Sequence, residues 1–469
     1  MVFASLEFLL LFLPAFLALY FLTPAAHRNV TLLLGSWVFY GWWSPLYLAL
    51  FVALTGLAWS GGMALAGMKG ERSGRWLLWV LVTINLAVLG WFKYANIAAE
   101  TVAAVASPLF PELARWQQVV LPIGLSFTVL QAISYLADVH GKTVQAERSP
   151  LRFATYLAMF GHLVAGPIIR YAWIAGELRR RAPTWLRFSR GARRFMTGLC
   201  MKVLIADSLA PVVDTAFPLA APSFADAWLG CLAYALQLYF DFAGYSAMAI
   251  GLGLMLGFHF PENFRHPYLA ADIQDFWRRW HISLSGWLRD YLYIPLGGNR
   301  HGGARTSLNL LVTMTLAGIW HGGDSWNYMF WGAAHGLALC IARWWPTRMP
   351  RGLSRLLTLL FVMLAWTLFR SHDLTQAAAM YAGQLGLNGF VPGDAMTLAL
   401  RPTMWLAFAA GMAWIAWPAV ARTLAALVAR LGGATAAMAA SSLLATLGFL
   451  LSCSLIASRG AIPFLYFQF

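Results

Sequence analysis

Apolar runs long enough to cross about 30 Å of hydrocarbon recur from one end of this chain to the other, separated by short polar turns. The clearest are Leu6 to Leu22, Val30 to Phe51 (broken by Gly41 and Pro45), Leu77 to Phe92, Val119 to Leu136, Phe153 to Ile169 and Phe195 to Phe217. Ala227 to Phe258, Leu308 to Trp320, Tyr328 to Ile341, Leu356 to Phe369, Met404 to Val420 and Leu443 to Ile456 follow. Helices satisfy their own backbone groups in lipid, so these runs predict an all-α polytopic membrane protein with roughly eleven membrane segments, some of them half-spans or re-entrant. No soluble domain separates them, and residues 1–469 read as a single integral membrane domain.

Composition agrees. With 60% apolar and only 11% charged residues, a water-soluble domain is excluded. The balance of 33 Lys and Arg against 18 Asp and Glu is strongly basic. The bases lie between apolar runs, so cytoplasmic topogenic loops account for them and nucleic acid is not needed. The 23 Trp, 16 Tyr and 31 Phe exceed what two interfacial belts require, which predicts a thick bundle whose rings fill space around a cavity. Cys200, Cys231, Cys340 and Cys453 stand singly in apolar stretches and read as packed thiols, with no metal site. The first apolar run has no basic region ahead of it and is expected to stay as the first helix.

The densest basic stretch, Arg170 to Arg194, carries eight arginines against Glu177. An amphipathic helix on the inner membrane surface is expected between Ala175 and Arg194, where Trp185, Leu186 and Phe188 alternate with arginine. Smaller clusters are Lys69/Arg72/Arg75 and Arg300/Arg305.

Polar residues inside a membrane are costly and therefore functional candidates. On a helical wheel of Asp275 to Asp290, Trp277, Trp280, His281, Leu284, Trp287 and Leu288 share one face, with Asp275, Arg278, Arg279, Arg289 and Asp290 opposite. Asp275 and Arg279 are spaced for an i,i+4 pair. His281 fits a structural hydrogen bond as well as catalysis. From Asn309 to His321 a helix rises roughly 20 Å, which places His321 inside the membrane if the run begins at the basic loop. Gly322 and Gly323 would stop that helix and admit backbone or substrate. Pattern alone favours a structural contact for a histidine at a helix end. The glycine-rich loop Tyr291 to Gly303 lacks the P-loop spacing, yet its amides with Arg289, Arg300 and Arg305 are able to seat a phosphate; a flexible turn fits its composition better. Asp241 is expected to pair with an arginine, and His162 and His335 to be packed or hydrogen-bonded.

These motifs carry a resemblance. FKYAN at 92–96, LPIGLSF at 121–127, HLVAGPIIR at 162–170, QLYFDFAGYS at 237–246, the run from Phe276 to Arg300, GIWHG at 318–322 and the terminal PFLYFQF together resemble the membrane-bound O-acyltransferases, specifically the bacterial branch that O-acetylates exopolysaccharides such as alginate or cellulose. Departures are Ala243 and Ala247, where relatives often read D-F-S-G-Y-S-D, and Gly161, where proline is common.

The resemblance implies a helical bundle with re-entrant or half-span helices around a central tunnel. It implies His321 as catalytic residue with His281 as companion. The expected chemistry is acetyl transfer from a cytoplasmic thioester, acetyl-CoA or an acyl carrier, with no permanently bound cofactor. His321 would be the general base. Trp280, Asn309 and Trp320 would shape the donor site, with Arg278, Arg279, Arg289, Arg300 and Arg305 holding its phosphates. The implied setting is the bacterial inner membrane, with periplasmic acetyltransferase partners, an exopolysaccharide acceptor and membrane lipids. D-alanyl transfer on the same fold and a non-catalytic transporter or flippase are the alternatives.

Overall fold

The computed structural model describes residues 1–106, 116–163, 166–323, 325–344, 349–430 and 434–465. Residues 164–165 of the 162–170 motif and 466–469 of the terminal motif lie outside the described residues. No strand occurs among the described residues. The longer helices, in chain order, are α1 (Leu13–Leu22), α2 (Arg28–Gly41), α3 (Pro45–Gly67), α4 (Glu71–Ala106), α5 (Leu125–His140), α6 (Pro150–Ala158), α7 (Tyr171–Arg179) and α8 (Trp185–Cys200). Then come α9 (Asp207–Ala216), α10 (Phe224–Leu256), α11 (Gly302–His321), α12 (Asn327–Trp344), α13 (Arg351–Arg370), α14 (Leu374–Gln384), α15 (Pro402–Arg430) and α16 (Ala434–Arg459).

Among the described residues six helical stretches are long and apolar enough to cross a membrane: Pro45–Gly67, Glu71–Ala103, Trp185–Ala216, Phe224–Leu256, Arg351–Arg370 and Ala439–Arg459. The chain is thus a multi-pass membrane protein. The expected count of about eleven included shorter pieces. The run from Phe153 to Ile169, for example, divides into α6, a four-residue helix at Phe160–Leu163 and non-helical chain at 166–169. The amphipathic stretch at Trp185 is not a separate surface helix either. A wider turn at Met201–Ala206 joins α8 to α9, so Arg187 to Arg194 occupy the first turns of one continuous helical stretch, Trp185–Ala216, ahead of its apolar part, with Trp185 and Leu186 exposed at its start.

The 33-residue α10 is the axis of the bundle. Ser223 and Asp226 form a reciprocal cap at its start, and Gly257, at φ +91°, ends it in the left-handed conformation that suits glycine. Its side chains are almost all buried, as expected of a helix apolar all round. Gly244 and Gly251 sit against the backbone of Gly198 and Gly191 on α8, so a methyl group at any of the four would meet main-chain oxygen. Small residues seven apart on both helices let the backbones close up, which is how helices associate where lipid removes the hydrophobic drive. Gly318 of α11 and Gly332 of α12 make the same close approach.

Asp241 on α10 is buried as expected, but its cation is Lys202, at 2.7 Å, not an arginine. Lys202 also binds Asp207 at 2.5 Å, and Leu465 N–H donates to Asp241 at 2.9 Å. This fastens the C-terminal segment to the axis. His162 bonds Gln131 and the Tyr156 carbonyl, and His335 accepts from Trp277 Nε1 at 3.3 Å. The four cysteines are free thiols.

Candidate active site

α11 runs from the glycine-rich loop to His321 and stops there, its next residue Gly322 being extended. The two glycines that follow do admit close neighbours. These are the Tyr328 ring against Gly322 and the Lys93 backbone against Gly323. The last carbonyls of a helix have no partners inside it and carry its negative dipole end. Here a buried lysine takes them: Lys93 Nζ donates to the carbonyls of Trp320 and, at 2.9 Å, His321, while Tyr94 Oη donates to that of Ile319 at 2.7 Å. Both donors come from the FKYAN motif on α4, whose role sequence reasoning did not assign. The His321 ring is buried among Trp320, Trp331 and Phe369, with ring centroids at 5.0, 5.3 and 5.6 Å.

The segment carrying His281 departs from the helical-wheel reading. Instead of one amphipathic helix there are two short ones, Ile273–Arg279 and Ile282–Leu288, broken at Trp280 and His281. His281 adopts φ +43°, ψ +53°, a left-handed backbone uncommon for a residue with a side chain. Asn263 holds the corner. Its backbone carbonyl accepts from Ile282 N–H at 2.9 Å, and its Oδ1 accepts from Ser283 N–H at 3.2 Å and Ser283 Oγ at 2.9 Å. The same Oδ1 lies 3.2 Å from His281 Nδ1. Because a backbone N–H donates to that atom, it is the amide oxygen, so His281 Nδ1 carries the proton and Nε2 keeps its lone pair. Nε2 is buried with no hydrogen-bond partner among the described residues. No pattern around Pro261 to Phe264 marked Asn263 in advance.

The two imidazoles come together, with centroids 6.4 Å apart. Phe242, at 4.7 Å, and Phe127 line the other sides of His281, and Phe127 also meets Trp320. His281, Trp320 and His321 therefore share one aromatic cluster. Trp280 turns away into a cluster with Phe264, Phe276 and Trp366. Asn309 lies twelve residues before His321 on α11 and donates to the Gly298 carbonyl at 2.9 Å, pinning the loop where Gly297 and Gly298 take positive φ.

The five arginines divide. Arg279 pairs with Asp275 at 2.9 Å, and Arg289 shares Asp290 with Arg170, at 2.7 and 2.6 Å. Burial would raise the Asp290 carboxyl, but Arg289 and Arg170 outweigh it and hold it below the usual range. Arg278, Arg300 and Arg305 are exposed and make no ion pair among the described residues.

The family model for membrane-bound O-acyltransferases matches residues 20–370. The chain is 46% identical to the probable alginate O-acetylase AlgI of Azotobacter vinelandii over 84% of its own length and 80% of that protein. It is equally identical to the AlgI of Pseudomonas aeruginosa, over 81% of this chain and 74% of that one. It is 35% identical to a peptidoglycan O-acetyltransferase of Helicobacter pylori, over 81% and 79%. His321 at the end of α11 and His281 beside it thus belong to an enzyme of the membrane-bound O-acyltransferase family.

Proposed function

We propose that this enzyme transfers an acetyl group from a cytoplasmic thioester to a hydroxyl, for O-acetylation of a secreted exopolysaccharide of the alginate or cellulose type at the bacterial inner membrane, with periplasmic partner proteins completing delivery. Similarity to the alginate O-acetylases supports the acetyl group and the polysaccharide acceptor. The observation that carries the chemistry is the pair of buried imidazoles 6.4 Å apart, one of them with a bare, desolvated Nε2.

His321 takes the proton of the acceptor hydroxyl as its oxygen attacks the thioester carbonyl. The new O–C bond forms, the C–S bond breaks, and the thiolate leaves with the proton that His321 returns. His281 has committed its N–H to Asn263, so its Nε2 accepts a hydrogen bond and holds the hydroxyl, or the departing thiol, against His321. The aromatic walls exclude water, which would otherwise compete for the acyl group. The donor phosphates stay on the basic face, where the arginines flanking the His281 segment stand.

The test is thiol release from an acetyl thioester by purified protein with acceptor present. Wild type should release thiol, and His321→Ala should release it about 10²–10⁴-fold more slowly. Equal rates in the two would overturn the reading. D-alanyl transfer would show as turnover of a D-alanyl thioester in place of the acetyl one.

A further inference from the structure

Lys69, Arg72 and Arg75 stand apart from everything the proposed mechanism uses. With Lys142 and Arg148 they line a cavity of about 1210 Å³ where α3 ends, α4 begins and the chain leaves α5. We propose that this cavity binds the headgroup of an anionic phospholipid, such as phosphatidylglycerol, whose acyl chains lie along α3 and α4. The proposal goes beyond acyl transfer and does not depend on it.

Charge is the first observation. Five cationic residues stand against one acid, Glu71, among the lining residues, and none of the five makes an ion pair among the described residues. Glu71 opens the first turn of α4, where the helix dipole favours a negative charge. The neighbouring carboxylate of Glu147 is already taken, by Arg152 at 2.7 Å and by the Tyr171 hydroxyl. The fold therefore supplies positive charge here without an anion to meet it. A topogenic loop accounts for such charge but has no need of a cavity.

Construction is the second. The loop after α5 is tied at both ends. At its start, Gly141 N–H donates to the Ala137 carbonyl at 2.8 Å, and Thr143 and Val144 N–H both reach the Asp138 carbonyl, at 3.0 and 3.3 Å. At its end, Glu147 N–H donates to Tyr135 Oη at 3.0 Å and its carbonyl accepts from Trp59 Nε1 at 2.9 Å. Between these ties Lys142 is held at φ +57°, a left-handed backbone that glycine would adopt without strain. A lysine kept in that conformation on a cavity wall is a placed charge. Across the cavity mouth, Gly74 of α4 lies against the His140 ring at the end of α5.

Position is the third, and it selects a lipid over a free anion. α3 and α4 belong to the stretches long enough to span a membrane, and the cavity sits at the end they share. Only 22% of the apolar window of α4 is buried within the fold, against 89% for α10, so α4 faces lipid. Arg72 and Trp76, and likewise Arg75 and Trp79, are four residues apart, which sets each exposed indole about 5 Å along the helix from a guanidinium. Charge outside ring is the order of a membrane interface. Met63 and Met68 add exposed apolar surface on the α3 side. A free phosphate would use the charges alone, whereas a phospholipid uses the charges and the apolar surface beside them.

The end in question is the arginine-rich one. Asp138, in the last turn of α5, accepts from Tyr291 Oη at 2.8 Å, and the Arg170 guanidinium lies over the Tyr291 ring at 5.1 Å. A lipid seated there braces the start of α4 against the end of α5.

The experiment uses the full chain in detergent, titrated with phosphatidylglycerol or with phosphatidylcholine of the same acyl chains. Bound lipid is counted by native mass spectrometry and the unfolding temperature is followed in parallel. Phosphatidylglycerol should bind saturably and raise that temperature, and phosphatidylcholine should do neither at the same concentration. Each basic side chain at an anionic lipid surface is worth about fivefold in binding, so Arg72→Gln/Arg75→Gln should weaken phosphatidylglycerol about tenfold or more. Arg179→Gln/Arg180→Gln removes the same charge from exposed positions outside the cavity and should leave binding within about twofold. Unchanged binding in the first variant, or an equal loss in the second, would overturn the proposal. So would glycerol 3-phosphate, the same phosphate without acyl chains, binding as tightly as the lipid. An acyl carrier protein that requires Arg72 and Arg75 while phosphatidylglycerol does not would assign the cavity to a protein partner and overturn it as well.

Discussion

The two histidines reach the same aromatic cluster by opposite devices. His321 stands at the end of a regular 20-residue helix whose last carbonyls are taken by Lys93 and Tyr94, so its position is set by helix length and a clamp on the backbone. His281 stands where regular structure fails, on a left-handed residue between two seven-residue helices, and is held by the side chain of Asn263. One ring is placed by backbone periodicity and the other by a strained corner that side-chain bonds over-determine. A clamp on a helix end fixes depth. A side chain on a corner fixes depth, ring orientation and protonation together. The difference predicts that substitutions around His321 act mainly on stability and position, and those around His281 mainly on proton placement.

The largest effect tests the common element. Replacing His321 by alanine should cost about 10²–10⁴ in turnover if it is the general base, read as thiol release at saturating donor. His281→Ala should cost less, because its part is to hold a hydrogen and not to remove one. Equal losses would mean that the two act as a single unit.

Next comes Asn263→Ala. It removes the acceptor for His281 Nδ1 and for both Ser283 donors, so the imidazole is free to change tautomer and the corner loses its pin. Turnover should fall by roughly tenfold to a thousandfold, since a histidine in the wrong tautomer is a poor partner in proton transfer. The pH profile should shift as well, because the change is in proton placement. A loss of folded protein with an unchanged profile in what remains would make Asn263 a structural residue only.

These two residues also mark how far the sequence was readable. His321 was within reach because a helix rises 1.5 Å per residue, and thirteen residues from Asn309 with two glycines after them measure a depth. The membrane class was legible from the spacing of apolar runs, and the Asp275 and Arg279 pair from its i,i+4 register. The corner at His281 was not, because a helical wheel assumes the continuity that the left-handed residue breaks. Its cause lies eighteen residues earlier, in Asn263, and long-range side-chain bonds leave no period in a sequence. Lys93 was hidden differently. A lone lysine in an apolar run reads as a boundary, and only the folded chain shows helix carbonyls waiting for it. Asp241 needed a cation, as burial dictates, yet the choice of Lys202 depends on how α8 continues into α9.

Lys93→Met tests the clamp on the other histidine. Methionine keeps the length and apolar stem but leaves the carbonyls of Trp320 and His321 without their donor. Each unsatisfied buried carbonyl costs about 1–3 kcal/mol, so unfolding in detergent should move to clearly lower temperature. Turnover should fall only as far as His321 drifts from position, with KM for donor little changed. A loss of turnover as large as that of His321→Ala, in protein of normal stability, would instead give Lys93 a part in the chemistry.

The smallest expected effect separates holding from tuning. Tyr94→Phe deletes one hydroxyl and one hydrogen bond, to the Ile319 carbonyl, and leaves the ring in place. That carbonyl lies in the last turn of α11, beyond the helix's own donors, so removal should cost about 1 kcal/mol. Because Lys93 still holds the two carbonyls nearer the imidazole, turnover should stay within about twofold. A tenfold loss would mean that a shift of a fraction of a turn at Ile319 is felt at the ring, and that the helix end is tuned as finely as the Asn263 corner. The Lys93→Met/Tyr94→Phe double variant then decides the matter, since two donors that merely hold one rigid end should give additive losses of stability, while donors that share one tuned geometry should not.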